Sequence, residues 1–283
     1  MKVNEMMQQS VLTATPDMSL ALAWRLMEDH RLRHLPVLID NRLIGMVTDR
    51  DIRSASPATA TPHTQAEINV YMGTTPIETC MTRDVATLSP EAAISLGTQQ
   101  MLDGHFGCLP VLAENQLAGI MTEIDLLRGY LVAAASTGGR MTVKDAMQDL
   151  MIIVTPEDLL STAYQRMQGG IVRHLPILDD AEKLVGVITD RDIRQAGDFG
   201  EPYVSAQELT DRFAMRTVNE IMTTQVRTVR SDTTLTAAAE LFLTHKFGCL
   251  PVIRNDDTLE GILTVADLLR LCAATLDADH VSL

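Results

Sequence analysis

Four stretches of the chain carry apolar or small residues at helical spacing: Leu20, Ala23, Trp24 and Met27; Ile94, Gly97, Thr98, Met101 and Leu102; Leu160, Ala163, Tyr164 and Met167; and Leu235, Ala238, Ala239, Phe242 and Leu243. Intervals of three, four, seven and sometimes eight put each set on one face, so each predicts an amphipathic helix buried along that face. Thr15-Pro16, Ser89-Pro90 and Thr155-Pro156 predict the starts of the first three, with the proline in the first turn; Arg230-Ser231 takes their place in the fourth. After each helix come two short runs rich in leucine and β-branched residues, parted by turn formers such as Asp40-Asn41 or Asn255-Asp256-Asp257. These predict hairpins. A second, shorter helix is expected next, as at Leu126-Leu127-Arg128 and Leu268-Leu269-Arg270.

The pattern repeats on two scales. Arg33-His34-Leu35-Pro36-Val37-Leu38 returns as Arg173-His174-Leu175-Pro176-Ile177-Leu178, and Phe106-Gly107-Cys108-Leu109-Pro110-Val111 returns as Phe247-Gly248-Cys249-Leu250-Pro251-Val252. The order is therefore A, B, A′, B′. In every unit a glycine (Gly45, Gly119, Gly186, Gly261) opens the frame G-h-h-T-x-x-D, where h is apolar. Each unit reads as strand, helix, strand, strand, helix behind a short lead-in such as Val143 to Met147, an α+β fold of four tandem repeats. The expected divisions are repeats at 1–55, 77–132, 141–196 and 218–275, with a tail at 276–283. Connectors at 56–76 and 197–217 end in the helix-like stretches Gln65 to Met72 and Gln207 to Met215. A small-residue linker at 133–140, containing Ala-Ser-Thr-Gly-Gly, marks the boundary between the two halves.

Charge and composition narrow the chemistry. The 283 residues contain 37 acidic and 23 basic side chains, for a formal charge of -14, so the summed field repels nucleic-acid backbones and anionic lipid. One Trp, four Tyr and five Phe supply few base-stacking surfaces. The cysteines Cys80, Cys108, Cys249 and Cys272 form no C-x-x-C pair, and the seven histidines show no metal-ligand spacing. Cys108 and Cys249, at the mouths of predicted strands, read as small core residues, the methionines as core filling, and Trp24 as facing the core. No secretory leader opens the chain and no apolar run reaches the roughly 18 residues of a membrane span, which predicts a cytoplasmic protein. No nucleophile–base pair, metal constellation or Gly-rich phosphate loop suggests an enzyme.

The recurring Thr-x-x-Asp has two readings. Thr48/Asp51, Thr122/Asp125, Thr189/Asp192 and Thr264/Asp267 have the spacing of a capping box that stabilises a helix start by about 1 kcal/mol. The same groups also suit a nucleotide: the helix start and Thr hydroxyl can hold a phosphate, and an acceptor-only Asp can take the two hydroxyls of a ribose. The A-type units add Arg33, His34, Arg50 and Arg53, matched by Arg173, His174, Arg191 and Arg194. Guanidinium forks fit phosphates, but Arg50 and Arg191 each stand between two aspartates and equally suit surface ion pairs. The B-type units carry Gly107-Cys108 and Gly248-Cys249 in place of Arg-His, and Glu123 or Val265 after the Thr.

The Leu-Pro-Val/Ile steps and the four G-h-h-T-x-x-D frames resemble the CBS domain family, named for the regulatory region of cystathionine β-synthase, over nearly the whole chain. The resemblance implies repeats paired into two pseudo-symmetric Bateman modules, Val3 to Leu131 and Met141 to Cys272, in an arrangement similar to the gamma subunit of AMP-activated protein kinase. It further implies a regulatory protein binding AMP, ADP, ATP or S-adenosylmethionine, and occasionally NAD or a cyclic dinucleotide in the family at large. Asp51, Asp125, Asp192 and Asp267 would hold ribose, Thr48, Thr122, Thr189 and Thr264 would face ribose and phosphate, and Arg33, His34, Arg173 and His174 would face phosphates. A regulated partner protein is implied, with the chain a monomeric disc or a homodimer. IMP dehydrogenase also carries such a pair, but its catalytic barrel has no counterpart here. The alternative is an interaction scaffold with empty or degenerate clefts.

Overall fold

The amphipathic stretches form helices in a computed structural model that describes residues 1–55, 64–137, 141–149, 151–170, 172–197, 213, 215–245 and 247–271. They are α1 (Leu20–His30), α4 (Ile94–Gly104), α6 (Leu160–Gly170) and α8 (Leu235–His245). Buried are Leu20, Ala23 and Met27; Ile94, Gly97, Thr98 and Met101; Leu160, Ala163 and Met167; and Leu235, Ala238, Ala239 and Phe242. Trp24 is only partly buried at the edge of the core, with the Arg53 guanidinium 5.3 Å above its ring.

The helix starts differ from the sequence reading. Thr15-Pro16 closes a turn in which Met18 N–H donates to Thr15 C=O, and α1 begins four residues past the proline, capped by Ser19, whose hydroxyl accepts from Leu22 N–H. Ser89 and Thr155 close the equivalent turns through Ala92 and Asp158. The proline therefore pre-sets a turn rather than the first helical residue.

Each helix is followed by a two-stranded antiparallel sheet: β1 (His34–Ile39) with β2 (Arg42–Thr48), β3 (Cys108–Ala113) with β4 (Gln116–Thr122), β5 (His174–Leu178) with β6 (Leu184–Thr189), and β7 (Cys249–Ile253) with β8 (Leu259–Thr264). Asp40-Asn41 and Glu114-Asn115 make the first two hairpin turns with positive φ at both residues, as a two-residue turn that follows strand twist requires. The predicted first strand of each unit is a single parallel bridge, at Ala14–Val37, Leu88–Val111, Val154–Ile177 and Val229–Val252. In the first unit this bridge uses Pro36 C=O and Leu38 N–H, so the donor that proline lacks is not needed.

The shorter helices are α2 (Asp49–Ser54), α5 (Glu123–Thr137), α7 (Asp190–Gly197) and a last one over 265–271. Helix α3 (Gln65–Thr74) realises the helix expected in the first connector; the stretch Gln207 to Met215 lies largely outside the described residues. Helix α5 runs through the alanines of the stretch read as a linker, because alanine is the best helix former and that stretch carries no glycine until Gly138.

The chain divides into two compact units, one built on Met1–Leu126 and the other on most of the remainder. Within each, the lead-in of one repeat crosses to the sheet of its neighbour. Thr82 bridges Met46 on β2 while Gln8 bridges Ile120 on β4, and in the second unit Thr223 bridges Val187 while Gln148 bridges Ile262. This crossing explains the glycine of the recurring frame. A Cβ on Gly45 would stand 2.9 Å from Thr82 C=O, and one on Gly119 2.7 Å from Gln8 C=O, with Gly186 and Gly261 similarly crowded by Thr223 and Gln148. Between the paired sheets sit Met46, Cys108 and Ile120 flanked by Val11 and Val85, matched by Val187, Cys249 and Ile262 flanked by Met151 and Val226. No helix among the described residues is long and apolar enough to cross a membrane.

Candidate nucleotide clefts

Each recurring Thr ends a strand and caps the helix that follows. Thr48 Oγ1 donates to Asp51 Oδ2 at 2.7 Å and accepts from Asp51 N–H at 3.2 Å, while Thr48 N–H donates to the same Oδ2 at 2.8 Å. Thr122/Asp125, Thr189/Asp192 and Thr264/Asp267 repeat this pattern. The capping reading is realised in all four places, and it consumes one carboxylate oxygen at each.

The other oxygen separates the A-type from the B-type units. At Asp51 and Asp192, both partly exposed, Oδ1 accepts no hydrogen bond from a described residue. Asp125 and Asp267 are 0% and 2% exposed and are covered from above by the lead-in of the preceding repeat. Gln8 Nε2 donates to both oxygens of Asp125 at 3.2 Å, and Gln148 Nε2 donates to Asp267 Oδ1 at 2.6 Å, joined there by Arg270 Nη1 at 2.9 Å. The lead-ins are in register: Met7-Gln8 and Met147-Gln148 occupy the positions that Met81-Thr82 and Met222-Thr223 occupy opposite the A-type clefts. A threonine there is too short to span to the carboxylate. The sequence reading missed these glutamines, although aligning the four lead-ins displays the alternation.

The basic residues are partly assembled. His34 and His174 begin β1 and β5 directly opposite Thr48 and Thr189 in the ladder. Their imidazoles lie in the space that Gly107 and Gly248 of the neighbouring B-type unit leave open; a Cβ on Gly248 would stand 1.9 Å from His174 Nε2. Glycine in the B units is thus the steric complement of histidine in the A units. Arg33, Arg50, Arg173 and Arg191 are exposed. The ion pair at this helix start is made by Arg53 to Asp49 rather than by Arg50, and the side chain of Arg194 lies outside the described residues.

In the second unit His174 and Thr189 border a cleft of about 130 Å³, whereas Asp192, Arg173 and Arg191 do not line it. His174, Thr189, Thr223, Gln225 and Arg227 supply its polar edge, and Val187, Val226, Phe247 and Cys249 its apolar wall. Gln225, Arg227 and Phe247 were not foreseen. The thiols are not reactive groups: burial pushes Cys249 up to about 12, and burial followed by the charge of Glu123 does the same for Cys108. Among the described residues no cluster of three or more His, Cys, Asp or Glu side chains is placed to hold a metal ion.

A polar edge that offers the Thr of a capped helix start, an imidazole, an amide and a guanidinium beside an apolar wall, with the Asp192 carboxylate one helical turn beyond the capping Thr189, suits a ligand with a diol, an anionic group and a flat apolar part. Comparison with known proteins agrees with the repeat architecture. The CBS domain profile matches residues 3–58, 77–131, 143–198 and 218–274. Protein MJ1225 of Methanocaldococcus jannaschii is 27% identical over 279 residues, covering 94% of this chain and 96% of its own. Its crystal structure, described as that of a proposed archaeal homolog of g-AMPK, superposes with a TM-score of 0.77 at 25% identity, over 96% of this chain and 99% of that one. A conserved protein of Pyrococcus horikoshii has the same fold, with a TM-score of 0.68 at 21% identity over 96% of this chain and 100% of that one. Inosine-5'-monophosphate dehydrogenase of M. jannaschii matches half of this chain but only 24% of its own length, at 27% identity.

Proposed function

Because the chain belongs to the CBS domain family, we propose that it is a non-catalytic regulatory protein that binds adenine nucleotides or a related adenosyl ligand and conveys its presence to a partner protein. The observation that carries this reading is the contrast between the aspartates. Asp51 and Asp192 keep one carboxylate oxygen without a donor among the described residues, each in a helix start whose capping Thr stands opposite a histidine in the ladder, whereas Asp125 and Asp267 are satisfied by Gln8 and Gln148. A ribose diol donates two hydrogen bonds and matches the first situation, not the second.

The ligand therefore occupies the Asp51 and Asp192 clefts, and AMP, ADP, ATP and S-adenosylmethionine are the candidates. Thr48 and Thr189, with His34 and His174, face the ribose and the groups attached to it. Arg33, Arg50, Arg173 and Arg191, exposed at the rim, contribute positive potential toward phosphate. The ligand touches both repeats of a pair, so it favours the arrangement in which those repeats sit closest, and a partner that reads that arrangement senses the ligand. The closed state of the Asp125 and Asp267 clefts favours a second role for the B-type halves, as surface for protein contacts rather than ligand sites.

Calorimetry of the full chain against the four ligands tests this. The expected result is saturation near two ligands per chain, lost when Asp51→Ala and Asp192→Ala are combined, with about 2.7 kcal/mol of added stability for a site at ~100 times its dissociation constant. Absence of heat and of thermal shift with all four ligands would refute it, and partner binding unaffected by the double substitution would favour the scaffold.

A further inference from the structure

The two A-type clefts match at Thr, Asp, His and the rim arginines, yet their remaining neighbours differ in charge. In the second unit, Thr223, Gln225 and Arg227 of the lead-in of the fourth repeat all line the cleft. The same lead-in anchors itself through Val226, which packs on Val187, Cys249 and Ile262. In the first unit Val85 packs in the same way on Met46, Cys108 and Ile120, which fixes the register: Thr82, Asp84 and Ala86 stand where Thr223, Gln225 and Arg227 stand. A carboxylate thus replaces an amide, and a methyl group replaces a guanidinium. Arg83 does not offset this, because it takes the position of Thr224, which does not line the second cleft, and lies 4.0 Å from Glu78.

A third difference acts in the same direction. Glu123 follows Thr122 where Val265 follows Thr264, and its charge is felt at Cys108, the counterpart of the Cys249 that walls the second cleft. Arg227 itself is exposed at the cleft edge with no hydrogen-bond or ion-pair partner among the described residues. A guanidinium on the same cleft as an imidazole, an amide and the capping Thr189 presents donors spaced along a ligand whose anionic tail extends outward from its sugar.

We infer that the two clefts select different ligands. The Asp192 cleft takes a nucleoside polyphosphate, its terminal phosphates on Arg227, and the Asp51 cleft takes an adenosyl ligand of lower negative charge. This rests on the nucleotide reading of the clefts. It makes the chain a comparator of two charge states of one nucleoside rather than a counter of a single ligand.

The test isolates each cleft in the full-length chain. Asp51→Ala leaves the second cleft and Asp192→Ala the first, and each variant is titrated calorimetrically with ATP and with adenosine. The Asp51→Ala protein is expected to prefer ATP over adenosine by at least tenfold more than the Asp192→Ala protein does. Adding Arg227→Ala to Asp51→Ala is expected to weaken ATP about tenfold and adenosine less than twofold. Installing Asp84→Gln with Ala86→Arg in the Asp192→Ala protein is expected to raise its ATP preference. Equal ATP preference in the two single-cleft proteins, or equal weakening of both ligands by Arg227→Ala, overturns the inference while leaving the nucleotide reading intact. Failure of the unaltered chain to bind either ligand overturns both.

Discussion

Replacing Gln148 by alanine should destabilise the second unit and, when Arg270 is removed as well, uncover an additional ligand site. The amide of Gln148 donates a 2.6 Å hydrogen bond to Asp267, a residue that is 2% exposed. A hydrogen bond to a charged group contributes about 1.5–3 kcal/mol net. The lower end applies, because removing an exposed glutamine admits water to the carboxylate and Arg270 still reaches Asp267 at 2.9 Å. A loss of about 1.5 kcal/mol in a unit of this size lowers its melting temperature by roughly 3–6 °C. A double-mutant cycle with Asp267→Asn, followed by urea denaturation, isolates the pair, because the change that Asp267→Asn makes to the Thr264 cap is common to both members that carry it and cancels. Calorimetry of the protein carrying Gln148→Ala with Arg270→Ala, which removes both donors to Asp267 Oδ1, should then show a third ligand site at Asp267. A coupling energy below about 0.5 kcal/mol together with unchanged ligand stoichiometry would show that Gln148 neither holds nor occludes Asp267, and the distinction between open and closed clefts would fall.

Two further outcomes follow from the packing around the clefts. Gly248→Ala places a methyl group within 1.9 Å of His174 Nε2, so the imidazole must leave; ligand affinity at the second cleft should fall at least tenfold with little change in far-ultraviolet circular dichroism, and Gly248→Ala combined with His174→Ala should restore stability without restoring affinity. The Cys108 and Cys249 thiols are raised from the ordinary value near 9 to about 12, so the unfolded chain loses these protons first; stability is unaffected below pH 9 and should decline between pH 9 and 12 by up to about 1.4 kcal/mol per pH unit per thiol. Urea midpoints at pH 8 and pH 10 check this, and Cys108→Ser with Cys249→Ser should reduce the difference to the part contributed by Cys80, which burial pushes up to about 11.

The helices and hairpins were legible because their signals are local: a 3.6-residue period in α1 and α8, and a pair of positive-φ residues at Asp40-Asn41. The helix starts were misplaced by the length of one turn, since a hydroxyl residue before proline serves a turn and a helix start equally well. Thr48 and its three counterparts were legible as caps, and their aspartates as candidate acceptors. What sequence alone did not display was which aspartates are already satisfied. That depends on Gln8 and Gln148, which lie more than a hundred residues from their partners and reach them only because the lead-ins cross between repeats. Arg227 escaped notice for the same reason: its place in the cleft is set by the packing of Val226, a contact with no local signature.

The crossed lead-ins also fix the smallest piece of this chain that can be inherited. A repeat cut out alone would carry a segment shaped for another's sheet and would leave its own β2 or β4 rim bare. Gene duplication could therefore copy the pair, as the matching halves record, but could not add or delete a single repeat without breaking two. Once doubled, the halves were free to diverge where it mattered least to folding, at side chains such as residues 84, 86, 225 and 227, while the glycines beneath each crossing stayed bound to their task.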